Sequence, residues 1–130
     1  MSGLNNRHTA CLGCAQIVAA RLAIDQLGPN TIVVNSTGCL EVTTTTYPNS
    51  AWQVPWLHST FANAAPVGSG IAAALDYLEK NSRLKNKRPT VLVQGGDGAT
   101  FDIGFGALTA SWARGDDLLY LLARLHYPAL

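Results

Sequence analysis

The sequence is poor in charge. Only 13% of its 130 residues are charged and 48% are hydrophobic, whereas about 25% charged residues are usual in a soluble domain. The net charge of +1 provides no basic field for nucleic acid or for an anionic membrane. The only basic cluster runs from Arg83 to Arg88 and is interpreted as a solvated loop, with a nucleic-acid patch as the alternative. A chain with so few charged residues is expected to expose apolar surface, and we predict that partner subunits cover this surface.

Other features are also missing. No apolar run reaches the length of a transmembrane helix, and the N-terminus lacks the charged-then-apolar pattern of a signal peptide. We therefore expect a cytoplasmic protein with no membrane partner. Its three cysteines are too few for a disulfide framework in a reducing compartment and favour ligands or redox thiols. There is no internal repeat, and the length suits a single domain.

Apolar spacing predicts an alternation of helices and strands. The predicted helices cover residues 14–27, 63–78 and 103–114, and the predicted strands cover 31–34, 90–93 and 118–122. Residues 39–59 have no clear period and are predicted to form a structured functional loop or a subunit contact. This order predicts an α/β fold of three layers with a parallel sheet.

The predicted strand 90–93 is followed by a glycine-rich turn, Gly95-Gly96-Asp97-Gly98. In open α/β sheets the carboxyl ends of the strands form the ligand-binding edge. Glycines let a phosphate approach the backbone, and the Asp97 carboxylate offers a hard oxygen ligand for Mg²⁺. An ordinary tight turn uses the same residues, so the motif alone leaves both interpretations open.

The cysteines form one close pair and one distant member. Cys11 and Cys14 make a Cys-x-x-Cys motif before the first predicted helix, and Cys39 follows the first predicted strand. Cys39 is therefore expected at the same sheet edge as Asp97. A thioredoxin-like dithiol would need a preceding strand, while zinc and iron–sulfur sites need four ligands. The residues alone leave a cluster, another metal or redox role, and incidental cysteines open.

Taken in order, the motifs resemble a known family. They include the segments 35–41 (NSTGCLE), 47–48 (YP), 55–56 (PW) and 101–104 (FDIG). With the cysteines and the glycine-rich turn, they closely resemble the β subunit of pyruvate:ferredoxin oxidoreductase (pyruvate synthase). This subunit belongs to the thiamine-diphosphate-binding 2-oxoacid:ferredoxin oxidoreductases. The resemblance runs from about Arg7 to Leu122, and implies the thiamine-diphosphate-binding fold.

The resemblance implies site residues. Cys11, Cys14 and Cys39 match three of the four thiolate ligands of a [4Fe–4S] cluster, and Cys39 also lines the thiamine pocket. Asp97 matches a magnesium ligand. The diphosphate-binding turn matches Gly96, Asp97, Gly98 and Ala99. No catalytic residue is assigned to this chain, because in the family the glutamate that activates the cofactor comes from the partner α subunit.

The implied reaction is oxidative decarboxylation of pyruvate to acetyl-CoA and CO₂, with electrons passed through the [4Fe–4S] cluster to ferredoxin. The implied cofactors are thiamine diphosphate, Mg²⁺ and the cluster. The implied partners are α, γ and δ-type subunits, ferredoxin, pyruvate and coenzyme A. The alternatives are a branched-chain 2-oxoacid enzyme of the same family, a non-catalytic Cys-x-x-Cys metal-binding α/β module, and an inert fragment.

The chain departs from the family pattern in three places. Gln16 stands where relatives often carry an acidic residue that touches the cofactor. The asparagine that completes the magnesium site is missing, since no asparagine follows Asn86, and so is the fourth cluster cysteine. We therefore expect one partial thiamine-diphosphate-binding domain over residues 1–130, with a cysteine-containing segment 1–14. The family pattern is lost at Ala123. We therefore predict that the chain is truncated and that its last eight residues are atypical and arise from a frameshift.

Four further residues receive simpler interpretations. His58 is expected to be a satisfied structural residue, with a substrate-facing role as the alternative. Trp52 and Trp56 are expected to pack in the fold or against a subunit. Asp102 is expected to cap the N-terminus of the last helix. No role is inferred for His8, nor for the histidine at position 126.

Overall fold

The computed structural model describes residues 2–124 and contains a four-stranded, fully parallel sheet. The strands are β1 (Thr31–Ser36), β2 (Trp56–Ser59), β3 (Thr90–Gly95) and β4 (Leu119–Leu122). The helices are α1 (Ala15–Leu27), α2 (Cys39–Thr44), α3 (Ala64–Lys80), α4 (Asp97–Phe101) and α5 (Phe105–Arg114). The prediction for the last eight residues falls mostly on 125–130, outside the described residues.

The strands lie side by side in the order β2-β1-β3-β4. After β1 the chain continues to β2 on one side, and after β3 it continues to β4 on the other. The carboxyl ends of β1 and β3 are therefore the point at which the connections diverge, where α/β sheets form their ligand crevice. Asn35 of β1 is paired with Gln94 of β3 at this edge.

Successive side chains of the central strands point to opposite faces of the sheet, so both faces are covered. Val33 and Leu92 pack into one apolar cluster with Ile24 of α1. Val34 and Val93 pack into a second cluster on the opposite face, together with residues of α3. The prediction of a three-layer α/β fold with a parallel sheet is confirmed.

The segment 39–59 is structured, as predicted, but it contains two elements that periodicity did not reveal. Helix α2 is only six residues long, and Thr43, Thr44 and Thr45 donate hydroxyl hydrogen bonds to its carbonyls. Threonine is a weak helix former, so this turn carries no helical signature. Strand β2 is a short edge strand whose side chains are half-buried or exposed; it lacks the apolar run of a central strand.

The prediction that Asp102 caps the last helix is wrong. Asp102 ends α4, and α5 begins at Phe105 with Gly104 before it. Gly104 makes this short connection possible, because a Cβ atom at position 104 would overlap the Ala99 carbonyl oxygen. A separate short helix, α4, therefore begins within the glycine-rich turn, at Asp97, and precedes α5.

In the part of the chain that the structure describes, no helix combines the length and the apolar character needed to cross a membrane.

Candidate functional site

A cleft opens at the carboxyl ends of β1 and β3, where the chain connections diverge. It is lined by Gln16, Asn35, Ser36, Gly38, Cys39, Leu40, Gln94, Gly95, Gly96 and Ala123. The enclosed cavity is about 20 Å³, close to the space that a single water molecule needs. The described residues thus form one wall of any larger binding site.

The glycine-rich turn forms one rim of this cleft. Gly96 is half-buried, and a Cβ atom at this position would meet no atom within 4 Å. Open space therefore surrounds its backbone, as close approach of a phosphate requires. Asp97 is exposed at the start of α4, while Ala99 is buried behind it. Gly98 serves packing, because a Cβ atom there would lie 2.7 Å from Cζ of Phe61.

The floor of the cleft is polar and incompletely hydrogen-bonded. Gln94 is 1% exposed, and neither atom of its side-chain amide has a partner among the described residues. Gln16 is 8% exposed; its Nε2 donates to the Ala123 carbonyl at 2.7 Å, but its Oε1 has no partner. An unpaired buried polar group costs about 1–3 kcal/mol. Such atoms suit a polar ligand, and they fit a cofactor that carries polar groups.

Sequence reasoning did not single out Gln94. The available signal was a glutamine directly after the apolar run Val91-Leu92-Val93, since a long polar side chain is rarely fully buried. Its neighbour across the strands, Asn35, accepts a hydrogen bond from Trp56 Nε1 at 3.2 Å and is thereby partly satisfied.

The three cysteines are all free, and they lie in two places. Cys39 is exposed at the start of α2 and lines the cleft, so it does lie at the same sheet edge as the glycine-rich turn. Cys11 is exposed and Cys14 is half-buried at the start of α1, where the Cys14 N–H donates to the Cys11 carbonyl at 3.2 Å.

The cysteines are not assembled into a metal site. Within residues 2–124, no three side chains of histidine, cysteine, aspartate or glutamate are grouped so that they could hold one metal ion. Thiolates are the donors that an iron–sulfur cluster requires, so the chemistry of the three cysteines fits a cluster.

His58 is satisfied by its neighbours. Its Nε2 lies 2.9 Å from Thr37 Oγ1 and 3.7 Å from Glu41 Oε2, and its ring stacks on Trp56 with centroids 6.1 Å apart. Trp52 is buried, and its Nε1 donates to Thr44 Oγ1 at 3.0 Å. These contacts agree with the structural roles expected for His58 and for both tryptophans.

Comparison with known proteins assigns most of the cleft to a known domain. Residues 36–124 match the family model "Thiamine pyrophosphate enzyme, C-terminal TPP binding domain". The match includes Cys39, the glycine-rich turn and strands β2, β3 and β4, but only the last residue of β1.

Among similar proteins, the pyruvate synthase subunit PorB of Methanocaldococcus jannaschii is 47% identical over 88% of this chain and 39% of its own length. The PorB subunit of Methanosarcina barkeri is 48% identical over 91% of this chain and 38% of its own length. The ketoisovalerate oxidoreductase subunit VorB of Pyrococcus horikoshii is 35% identical over 88% of this chain and 37% of its own length. The chain thus spans about two fifths of the length of these relatives, and it belongs to the thiamine pyrophosphate enzymes through their C-terminal TPP-binding domain.

Proposed function

We propose that this chain is the cofactor-binding part of a 2-oxoacid:ferredoxin oxidoreductase β subunit that acts on pyruvate. The observation that carries the proposal is the cleft at the carboxyl ends of β1 and β3. There the Gly95–Gly96 turn, Cys39 and the buried Gln94 amide, which lie in the region that matches a TPP-binding domain, meet the buried Gln16 amide of α1. In the proposed reaction, pyruvate and coenzyme A give acetyl-CoA and CO₂, and two electrons pass to ferredoxin.

The residues of the turn have distinct proposed roles. Gly96 lets the diphosphate of the cofactor approach the backbone, while Gly98 lets the same turn pack against Phe61 and Ala99 is buried behind them. The exposed Asp97 carboxylate would hold Mg²⁺, which is commonly bound by one or two carboxylates together with ligand phosphates. Bound thiamine diphosphate supplies the nucleophilic carbon that decarboxylation of a 2-oxoacid requires.

Pyruvate is the preferred substrate in this proposal because of the relatives. Identity to the two pyruvate synthase subunits is 47% and 48%, against 35% for the ketoisovalerate oxidoreductase subunit. The cleft itself encloses too little volume to select a substrate. A branched-chain 2-oxoacid therefore remains the second candidate, to be compared with pyruvate in assays of the assembled enzyme.

Partner subunits of α, γ and δ type belong to the proposal. They would supply the walls that the 20 Å³ cavity lacks. Large apolar side chains are exposed on this chain, including Val18 and Leu22 of α1, as expected for a subunit that is covered in an assembly. A cytoplasmic location is part of the same proposal.

Cofactor binding can be tested by thermal unfolding. Thiamine diphosphate with Mg²⁺ at 100 times its Kd should stabilise the chain by about 2.7 kcal/mol, with a matching rise in Tm. Asp97→Asn should remove most of this rise, because it removes the proposed metal ligand. Asp102→Asn is the matched control, since Asp102 is an exposed aspartate just beyond α4. An unchanged Tm of the wild-type chain would contradict the proposal.

The [4Fe–4S] cluster is a separate part of the proposal, with Cys11, Cys14 and Cys39 as three of its ligands. Iron and acid-labile sulfide should be present after anaerobic purification, with a broad visible absorption that bleaches on reduction. Cys39→Ser should reduce the bound iron. Bound zinc without sulfide would instead favour a non-catalytic metal-binding module.

A further inference from the structure

Two hydroxyl groups lie behind the glycine-rich turn. Thr100 Oγ1 lies 2.6 Å from the Gly96 carbonyl oxygen and 3.0 Å from the Tyr120 hydroxyl. A carbonyl oxygen only accepts hydrogen bonds, so the single hydroxyl hydrogen of Thr100 goes to Gly96. The Tyr120 hydroxyl must then donate to Thr100 Oγ1. The three groups form a relay with one direction, from Tyr120 through Thr100 to Gly96.

Gly95 leaves the space that this relay occupies. A Cβ atom at position 95 would overlap the Tyr120 hydroxyl and would lie 3.0 Å from Thr100 Oγ1. Thr100 is buried, and Tyr120 is half-buried in β4, where it pairs with Val93. Burial raises the pKa of Tyr120. The phenol therefore stays protonated at neutral pH and keeps its hydrogen for donation.

The relay fixes the orientation of one peptide group. The Gly96 carbonyl oxygen accepts both the Thr100 hydroxyl and the Thr100 N–H, the latter at 3.0 Å. In a planar trans peptide, the carbonyl of Gly96 and the N–H of Asp97 point in opposite directions. Holding the carbonyl toward Thr100 thus turns the Asp97 N–H away from Thr100, toward the N-terminal end of α4.

We propose that Tyr120 and Thr100 are positioning residues of the diphosphate-binding turn, because their hydroxyl relay orients the Gly96–Asp97 peptide before the ligand arrives. This inference rests on the proposed function for its ligand. The relay acts through the backbone and touches no reacting atom. A turn oriented in advance loses less conformational freedom on binding, which strengthens affinity.

The test combines affinity with amide exchange on the full chain. Tyr120→Phe and Thr100→Val each remove one hydroxyl and should weaken thiamine diphosphate binding in the presence of Mg²⁺ about fivefold, as loss of one hydrogen bond would. Thr100→Ser keeps the hydroxyl and should bind like wild type. The double variant should bind no more weakly than Thr100→Val alone, because the Tyr120 hydroxyl has then already lost its acceptor. Tyr77→Phe, on the exposed surface of α3, is the control.

The hydrogen-exchange rates of the amides of residues 96–101 measure the order of the turn in the absence of a ligand. Exchange there should speed up in Tyr120→Phe and Thr100→Val, but not in Thr100→Ser or Tyr77→Phe. If wild type fails to bind the cofactor while this exchange pattern appears, the proposed function fails and the relay stands. If Tyr120→Phe lowers Tm but changes neither affinity nor local exchange relative to the control, the two residues only stabilise the fold and the inference is overturned.

Discussion

At the scale of single residues, two nearby glycines differ in whether the fold leaves room for a Cβ atom. Gly104 is buried, and a Cβ atom there would overlap the Ala99 carbonyl oxygen. Gly106 is exposed within α5, and a Cβ atom there would meet nothing within 4 Å. The first position thus needs glycine for a close backbone approach, while the second merely tolerates it.

Alanine should therefore have effects of opposite sign at these positions. Gly104→Ala forces backbone to move and should destabilise the chain by about 1–3 kcal/mol. Gly106→Ala removes backbone freedom from the unfolded chain and should stabilise it by up to about 1 kcal/mol. Chemical denaturation of both variants measures the difference. Equal effects of the two substitutions would contradict the overlap at Gly104.

Asp116 gives a pH-dependent contribution to stability. Arg114 donates to its carboxylate with Nη2–Oδ2 at 2.8 Å and Nε–Oδ1 at 3.3 Å. This bond, with the nearby Ser69 hydroxyl, lowers the pKa of Asp116 from 3.8 to about 2. Because the folded pKa lies below the unfolded one, the stabilisation is complete above the unfolded pKa. It is lost as pH falls from about 4 to about 2.

The comparison with Asp116→Asn isolates this contribution. The wild-type chain should exceed the variant in Tm at pH 5 to 7, and the difference should shrink as pH falls toward 2. In Arg114→Gln, a carboxyl titration followed by NMR should show the pKa of Asp116 moving back toward 3.8. A Tm difference that stays constant across this pH range would mean that the ion pair is not its source.

At the scale of elements, apolar periodicity predicted the longer helices and most of the strands. It located α1, α3, α5, β1, β3 and β4 to within two residues at every end, because apolar side chains recur where each element meets the core. It did not find α2, β2 or α4, which have only four to six residues. Contacts with the rest of the fold hold these short elements in place, so their own residues carry little signal.

The candidate site was predictable to the same limited degree. Family resemblance pointed to Cys39 and the glycine-rich turn, and the structure places both at one cleft. Tyr120 was not predictable as a neighbour of this turn. Its position follows from strand register and from a hydrogen bond across 20 residues of chain, which no local pattern encodes. The grouping of all three cysteines remains a prediction.

Arg88, in the connection between α3 and β3, forms ion pairs with three acidic side chains. Arg88 lies 2.7 Å from Asp76 and 3.3 Å from Glu79 on α3, and 3.0 Å from Asp117 before β4. The three acidic side chains are more than half exposed, so water screens each pair and reduces its strength. The network still joins α3 to the starts of two strands.

Removing the Arg88 side chain should modestly weaken the contact between α3 and the segments that precede β3 and β4. Arg88→Met should destabilise the chain by about 1 kcal/mol at low salt, and less at high salt, where exposed ion pairs are screened. Lys85→Met is the matched control, because Lys85 is an exposed cation of the same loop and should have little effect. Urea denaturation at two salt concentrations measures both. A loss unaffected by salt would assign the role of Arg88 to packing of its aliphatic stem.

At the scale of the whole molecule, the low charge of the sequence corresponds to apolar side chains that the described residues leave exposed. They occur on several elements and include Val18 and Leu22 of α1, Phe101 of α4, and Phe105 and Trp112 of α5. Scattered exposure of single apolar residues is common. Here it accompanies a cleft that encloses little space, and both observations are consistent with the partner subunits proposed above.

One side-chain hydrogen bond connects α1 to the segment after β4. Gln16 of α1 donates from Nε2 to the carbonyl of Ala123, just after β4, at 2.7 Å and across 107 positions of sequence. Both residues are buried, so the bond is shielded from water. Any change in it should affect unfolding of the whole domain rather than of one helix.

Gln16→Glu tests this contact with a nearly isosteric change. An ionised carboxylate cannot donate to the Ala123 carbonyl and is unfavourable when buried, so the variant should lose several °C in Tm at pH 7. Protonation restores a donor, so the introduced carboxyl group should bind a proton more readily in the folded chain than in the unfolded one. The deficit should therefore shrink as pH falls toward 5. Gln26→Glu, at an exposed position of the same helix, should change Tm little at either pH. A pH-independent deficit in Gln16→Glu would show that the loss arises from packing and not from the missing donor.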